Sequence, residues 1–386
     1  MLMRNNSCGE RPCVIVFVIS SLGCGGAEKV VTNIANHLSV LGNSVSIVTF
    51  DSPVNKPFFP LNKEIELVQC DMLHVGTNFI SGLKNNIKRI LILRRIIKRL
   101  KGDIVISFMD RTNVITLIAT RFLKIPVIVS DRTDPILGNP GRMWRLLRII
   151  MYHFACKIAV QTEKVVNKYP VTFRKKIVVI PNPVMKPEKK LVQRQGNLIV
   201  GIGRLSEEKN FHLLIEAFYG IKKKYPDWHL EIYGDGPLRK QLENLILKLN
   251  LKDSVKLPGV VKDIDEVLQR ADIFVLCSKF EGFPNVLCEA MANGCAVVSS
   301  RCGPAEEIII DNENGLLVNI NDVEEIKKAI EHLITNEGLR SRIGEKGREI
   351  TEKYSMDRII GNWLCVIEEC AISKFKRIGC DEHEKN

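Results

Sequence analysis

The stretch that most restricts what this chain can fold into runs from residue 271 to residue 300. An apolar run, 271–278, keeps Ile273, Phe274, Val275 and Leu276 together and has the length of one buried strand. A loop beginning at Glu281-Gly-Phe-Pro284 follows, and a helix starts near Pro284 or Asn285 and ends at Asn293-Gly294. Proline in the first turn and glycine just past the last are the punctuation of a helix. A second apolar run, 296–300, comes next. Strand, loop, helix and strand in this order make a βαβ unit, whose ligand crevice lies at the carboxyl end of the strand. Glu281 therefore falls in the crevice loop. Glu289, four residues after Asn285, shares a helix face with it.

Chemistry follows from this placement. The N–H groups at a helix start suit a phosphate, and Gly282 lets the backbone come close. A carboxylate beside an anion site makes sense when it receives hydroxyls. Glu281 and Glu289, flanking such a site, suggest a ligand with sugar hydroxyls on either side of a phosphate: a nucleotide sugar. The plainer alternative is a helix-capping Glu281 and a solvated Glu289.

At 386 residues the chain exceeds one ordinary domain, and its 45% hydrophobic content can fill two cores. The first apolar run, Val14 to Ile19, leads into a glycine-rich loop and reads as a strand, not a secretory signal. No uninterrupted apolar run reaches the roughly 18 residues of a spanning helix. The twelve cysteines show no Cys-x-x-Cys, and several (Cys277, Cys288, Cys295) sit in apolar contexts. They are expected as small core residues in a reducing compartment, not as disulfides or zinc ligands. Asp263-Ile-Asp265 is a literal Asp-x-Asp, a pattern that can bind a divalent metal. Here it opens a helix, where the dipole favours Asp, and no metal is expected.

The net charge is +12, and residues 80–160 alone hold sixteen Lys+Arg against four Asp+Glu. The rest of the chain is therefore neutral, and a polyanion is expected on one side only. Residues 84–101 form a helix with eight basic residues among Ile87, Ile90, Leu91, Leu93, Ile96, Ile97 and Leu100. It can lie in a membrane interface, or be an outer helix with its cations in solvent. A second basic stretch, 142–152, adds Trp144 and Tyr152, residues suited to the headgroup level. Few aromatics for base stacking and no recognised module argue against nucleic acid.

In chain order, residues 12–20 read as a central parallel strand, followed by a glycine-rich turn with Gly25-Gly26 and a helix to about Leu41. The turn lacks the Gly-x-Gly-x-x-Gly spacing, so a dinucleotide reading is weak, and a tight turn without ligand reads equally well. Strands follow at 43–50, 103–107, 126–130, 157–161 and 177–180. Asp131-Arg132 ends the third of these, where polar residues at a parallel strand's carboxyl end become site candidates. A Pro- and Lys-rich linker spans 181–190. A new strand, 197–203, then runs into Gly203-Arg204, with Lys209 just before a helix at 211–219. Gly234-Asp-Gly-Pro237 is a turn, and a strand near 255–259 leads to Val261. Further helices are expected at 323–335, 337–351 and 356–370, with a polar, disordered tail from Arg377.

The ordered set Gly203-Arg204, Lys209, Gly234-Asp-Gly-Pro237 and Glu281 to Glu289 resembles retaining GT-B glycosyltransferases of family 4, with their two glutamates separated by seven residues. The resemblance spans about residues 13–370. It implies an α/β fold of two Rossmann-like domains facing a cleft: 1–185 acceptor-binding and membrane-associated, 186–355 nucleotide-sugar-binding. A crossover helix, 356–373, would return to the first domain, leaving a tail at 374–386. It implies that Glu281 faces the transferred sugar and that Arg204 and Lys209 hold the donor diphosphate, the three acting as catalytic residues. Gly25, Gly26, Gly203, Asn285 and Val286 would approach the donor, Val261 would hold its base by backbone contacts, and Glu289 would take the ribose hydroxyls. Many relatives have a histidine near Asp131. Asp131-Arg132 here resembles instead the branch that builds bacterial lipid-linked and capsular oligosaccharides, and both are acceptor-side candidates.

The expected reaction moves a hexose or N-acetylhexosamine from a nucleotide sugar, a UDP-sugar such as UDP-GalNAc or UDP-Gal, to a polyprenyl-diphosphate-linked saccharide, with retention of configuration. The donor is a substrate, and neither cofactor nor metal is expected. The protein is expected in the cytoplasm, peripheral on the inner face of the cell membrane and attracted to its anionic surface. A family 4 enzyme with a soluble acceptor and a nucleotide-sugar epimerase of the same architecture are the alternatives.

Overall fold

The computed structural model describes residues 12–73, 79–136, 141–188 and 196–383. The chain divides into two compact units, 1–182 with 357–386, and 183–356. The expected linker lies partly outside the described residues, which omit 189–195.

Unit 1 holds seven parallel strands: β1 (Val14–Ile19), β2 (Ser44–Thr49), β3 (Glu66–Gln69), β4 (Ile104–Phe108), β5 (Val127–Ser130), β6 (Lys157–Val160) and β7 (Ile177–Val179). Their order is β3-β2-β1-β4-β5-β6-β7. The chain winds outward from β1 one way, then returns to its other side with β4, so the order reverses between β1 and β4. Helices α1 (Gly26–Val40), α2 (Phe79–Leu100), α3 (Asp110–Thr120), α4 (Arg142–Met151) and α5 (Glu163–Val166) cover the sheet. Ile15 to Ile19 of β1 are fully buried, as both faces of a central parallel strand must be. β3 lies in what the sequence offers only as a long loop; it is four residues long and pairs with β2 alone.

Unit 2 holds six parallel strands: β8 (Leu198–Ile202), β9 (His229–Tyr233), β10 (Val255–Gly259), β11 (Ile273–Leu276), β12 (Ala296–Ser300) and β13 (Leu316–Val318). Their order is β10-β9-β8-β11-β12-β13, which reverses between β8 and β11. Helices α6 (Phe211–Lys224), α7 (Arg239–Lys248), α8 (Ile264–Arg270), α9 (Asn285–Ala292), α10 (Ala305–Ile308), α11 (Val323–Thr335), α12 (Glu337–Gly347) and α13 (Ile350–Lys353) complete it. One face of the sheet packs against Leu214 and Phe218 of α6, Ile330 of α11 and Ile343 of α12. The other face packs Phe274 with Leu287 and Met291, so α9 is buried on its sheet side.

The last helix, α14 (Met356–His383), packs into unit 1. Trp363 is fully buried with its ring 6.1 Å from that of Phe108, and Lys157 pairs with Glu369 at 2.6 Å. Two expectations are corrected here. The helix continues through residues 377–383, expected as disordered tail. Cys156, just before β6, is joined to Cys370 of α14 in a disulfide, against the expectation that every cysteine stays reduced. Sequence gives no warning of it, because 214 residues separate the two.

Candidate active site

In a doubly wound sheet, ligands settle outside the carboxyl ends of the strands where strand order reverses. In unit 2 that point lies between β8 and β11. The loop leaving β8 is Gly203-Arg204-Leu205. It is stitched to the turn after β9: Gly203 N–H donates to Tyr233 O (2.9 Å), Leu205 N–H to Asp235 O (3.0 Å), and Leu238 N–H to Leu205 O (3.0 Å). Gly234 has φ +131°, and a Cβ there would lie 1.9 Å from Gly203 O. Only glycine allows the two loops this approach.

A short turn, Glu207–Lys209, then ends at Asn210, which is fully buried in the left-handed region (φ 55°) and donates through Nδ2 to Asn321 Oδ1 at 2.8 Å. This reversal sends Lys209 back over the end of β8. The loop after β11 comes to meet it, with Lys279 N–H donating to Glu208 O at 2.8 Å. Glu281 Oε1 receives both Lys209 Nζ (2.5 Å) and Ser278 Oγ (2.6 Å). Ser278 is fixed in turn, because its carbonyl accepts from Ser300 Oγ at the end of β12 (2.6 Å). The pair keeps 18% and 12% of its side-chain surface, enough to touch a ligand and little enough to be held in one geometry. Burial, helped by the Glu281 charge, pushes the neighbouring Cys302 thiol up to about 12, so it stays neutral and unreactive.

The remaining candidates of unit 2 lie around this pair. Arg204 is exposed on the β8 loop, and Gly203 lies against the Lys209 stem, to which an added Cβ would come within 3.5 Å. The α9 helix begins at Asn285 as expected, and Glu289 is half-buried one turn on. Val261 and Val286 pack their side chains on the core, so what they can offer a ligand is backbone. Asp263 is the N-cap of α8, accepting from Glu266 N–H at 3.1 Å, and Asp265 accepts from Asn293 Nδ2 at 2.8 Å. Both carboxylates of the Asp-x-Asp thus serve the fold. Ser278 and Ser300 were not singled out from sequence; serines ending two apolar strands were the available signal.

In unit 1, Gly25 precedes α1 and Gly26 is its first residue. The Glu28 carboxylate folds back over Gly25, where an added Cβ would meet it at 2.3 Å. Burial raises the Glu28 carboxyl, against a backbone hydrogen bond and the Ser21 hydroxyl that lower it. Asp131 and Arg132, the acceptor-side candidates at the end of β5, are both buried. Asp131 accepts from Tyr152 OH, Tyr169 OH and Asn113 Nδ2. Arg132 donates to Asn182 Oδ1 and lies over the Phe108 ring at 4.7 Å; burial lowers it to about 9, with Asp131 opposing. Tyr152, expected at a membrane surface, is 1% exposed because its hydroxyl is spent on Asp131.

Asp110 was missed. It opens α3 directly after β4, and 14% of its side-chain surface remains exposed. Burial and the Asp131 charge raise its carboxyl to about 7, with Arg148 opposing. The rule that singled out Asp131, a polar residue at a strand's carboxyl end, applies to it equally.

Among the described residues no group of three or more His, Cys, Asp or Glu is placed to hold a metal, and no helix is long and apolar enough to cross a membrane. The exposed side of α2 carries Leu83, Ile87 and Leu91 with Lys84, Lys88, Arg95 and Lys98. That of α4 carries Met143, Leu146, Ile149 and Ile150 with Arg142 and Arg145. Arg94 is turned inward to Ala119 O and Arg121 O, and Arg99 pairs with Glu66.

Comparison with known proteins gives a consistent result. The family model described as Glycosyl transferases group 1 matches residues 185–350, and that for Glycosyltransferase Family 4 matches residues 24–185. An uncharacterized glycosyltransferase of Haemophilus influenzae is 31% identical over 361 residues, covering 92% of this chain and 99% of that protein. A Campylobacter jejuni protein is 29% identical over 362 residues, 92% of this chain and 98% of the relative. Its name is GalNAc-alpha-(1->4)-GalNAc-alpha-(1->3)-diNAcBac-PP-undecaprenol alpha-1,4-N-acetyl-D-galactosaminyltransferase. Among solved structures, Staphylococcus aureus TarM with fondaparinux, alpha-GlcNAc-glycerol and UDP superposes with a TM-score of 0.77 at 17% identity, covering 92% of this chain and 99% of that one. Anabaena HepE with UDP and glucose gives 0.73 at 18%, covering 95% and 100%.

Proposed function

This chain belongs to the group 1 and family 4 glycosyltransferases, and from that premise we propose that it transfers a hexose or N-acetylhexosamine, with retention, from a UDP-sugar to a polyprenyl-diphosphate-linked saccharide. The observation that carries the donor half is the Lys209–Glu281 contact at the point where the strand order of unit 2 reverses. The acceptor half is supported by the undecaprenol-diphosphate saccharide in the name of the Campylobacter relative. UDP in the TarM and HepE complexes supports the nucleotide.

Breaking the glycosyl–phosphate bond leaves negative charge on the departing diphosphate. Lys209, fixed against Glu281 before the reaction starts, is suited to stabilise it without a metal, together with Arg204 on the exposed loop after β8 and the Val286 amide in the first turn of α9; the Asn285 N–H already donates to Phe283 O at 2.9 Å. Glu281, held by Lys209 and Ser278, keeps a second oxygen for the sugar. Glu289 takes the ribose hydroxyls. As the diphosphate gains charge, Lys209 is shared between it and Glu281, so its attraction to the leaving group grows along the reaction.

Unit 1 docks peripherally on the inner face of the cell membrane through α2 and α4. Support comes from two exposed apolar stripes, each edged by cations, in the segment that carries the chain's whole charge excess. Each cation near an anionic surface contributes about 1 kcal/mol, so a handful hold the protein reversibly. A donor screen read by product mass on membrane-extracted acceptors tests the assignment. Addition of one hexose or N-acetylhexosamine to a lipid-linked saccharide is the expected result. An unchanged acceptor with an interconverted donor would identify an epimerase instead.

A further inference from the structure

The strand order of unit 1 reverses between β1 and β4, one strand away from the Asp131 position at the end of β5. By the rule that locates Lys209 and Glu281 in unit 2, the ligand-facing loops of unit 1 are those after β1 and after β4. The first is the Gly25-Gly26 turn. The second is Met109-Asp110, and three features set it apart.

Met109 has φ +77°, a conformation that a non-glycine residue keeps only when its surroundings enforce it. It is held there by Met109 N–H donating to Ser130 O (3.2 Å) and Asn113 N–H donating to Met109 O (2.8 Å). The Asp110 carboxyl lies near enough to that of Asp131 to feel its charge, and its Oδ2 accepts from Thr133 Oγ1 at 3.4 Å. Asp131 is 3% exposed and has three hydrogen-bond donors of its own. Asp110 keeps some surface, and its Oδ1 has no hydrogen bond. Its ion-pair partner at 3.6 Å is Arg148 Nη1, which likewise makes no hydrogen bond, on a nine-tenths-buried side chain anchored by Nη2 donating to Pro135 O at 3.0 Å. The Oδ1 of fully buried Asn113 is unbonded too, although its amide nitrogen reaches Asp131. Buried polar atoms left unbonded are costly and rare, and here they gather at the reversal point.

We propose that Asp110 is the acceptor-recognising residue of unit 1, its carboxylate receiving a hydroxyl of the acceptor sugar beside Arg148, while the nearby Asp131 charge sets the pH at which that carboxylate ionises. This rests on the glycosyltransferase reading above. An ionised carboxylate only accepts hydrogen bonds, which matches it to a hydroxyl that donates. Asp110 faces Asp131 at the end of β5, Arg148 on α4, and the phenols Tyr152 and Tyr169. The phenols titrate well above their ordinary range, chiefly from burial and then from the Asp131 charge, so they stay neutral. The burial and the Asp131 charge that raise Asp110 to about 7 make its ionisation the step that changes near neutrality. Acceptor use should therefore rise with pH through that value.

The test uses the full chain, a nucleotide sugar and a short-chain isoprenyl-diphosphate saccharide. Asp110→Asn should lower kcat/KM for the acceptor about 100-fold, mainly through KM, with the nucleotide-sugar Kd unchanged by titration. The pH inflection near 7 seen in the wild type should vanish. Asp110→Glu should restore part of the acceptor affinity. Tm at pH 8 should be no lower in Asp110→Asn than in the wild type, whereas Asp131→Asn should lower it. Acceptor kcat/KM within threefold of the wild type in Asp110→Asn would overturn the proposal. So would equal losses of donor affinity and Tm, which would make Asp110 a fold residue. A wild type that binds no nucleotide sugar would overturn the glycosyltransferase reading and this proposal together.

Discussion

Replacing Lys209 by alanine removes the cation that holds Glu281, and its cost can be worked out on two separate scales. On stability, breaking a buried ion pair by deleting one partner costs about 3–5 kcal/mol, because the other charge is left uncompensated. Here both side chains keep some surface, and Ser278 Oγ still donates to the carboxylate, so about 2 kcal/mol remains. On turnover, loss of one preorganised donor to transition-state charge costs about 2.7–4 kcal/mol, a fall in kcat of roughly 10²–10³. Adding Glu281→Gln separates the two scales. The double variant has no orphan charge, so urea unfolding should recover about 1–2 kcal/mol relative to Lys209→Ala alone. Its kcat should stay low, because neither the cation nor the carboxylate has been returned. The assay is urea denaturation of the four proteins of the cycle, with steady-state kinetics on each. Additive stability losses, or a double variant that regains turnover, would refute the reasoning that this pair is both an ion pair of the fold and the charge source of the reaction.

Glu289→Ala is expected to weaken nucleotide-sugar binding more than it slows bound donor, whereas Glu281→Ala should mainly lower kcat; unchanged donor affinity in the Glu289 variant would remove the ribose assignment. Turnover in excess chelator should stay near its starting level, since Asp263 and Asp265 are engaged in capping α8 and holding Asn293; activity lost on chelation and restored by magnesium or manganese would contradict this. Replacing Lys84, Lys88, Arg95 and Lys98 by Gln should release the protein from anionic vesicles at moderate salt while leaving nucleotide-sugar binding intact. Arg94 and Arg99 are left out of that set because their partners belong to the fold, and co-sedimentation unchanged in the variant would make α2 an ordinary outer helix.

The sequence was most readable where punctuation and pattern agreed. Around Glu281 an apolar strand, a Pro-started helix and a Gly-ended turn all point the same way, and α9 begins and ends where those signals put it. β3 was unreadable because four residues at a sheet edge leave no pattern that separates a strand from a loop. Lys209 and Glu281 could be named separately, but their contact joins residues 72 apart and needs the left-handed turn at Asn210 to form. Asp131 drew attention as a polar residue after a strand, and Asp110 did not. Choosing between them requires knowing that β4, not β5, is the neighbour of β1, and strand order is a property of the folded sheet. Tyr152 was misjudged for a related reason: a tyrosine on a basic helix looks amphipathic until its hydroxyl finds a buried carboxylate. The Arg94 and Arg99 partners, in the α3 end and in β3, were equally invisible along the chain.

The central claim is that the donor's diphosphate and sugar sit at the carboxyl ends of β8 and β11 in unit 2. Amide hydrogen exchange of the full chain, with and without a saturating nucleoside diphosphate, tests it most directly. UDP is the first choice of probe, replaced by whichever nucleotide the donor screen returns. Slowed exchange is predicted in 203–209 and 281–289, the two loops that bring Lys209 to Glu281 and lead into α9. Protection confined to unit 1, or to the opposite ends of the unit 2 strands, would contradict the account.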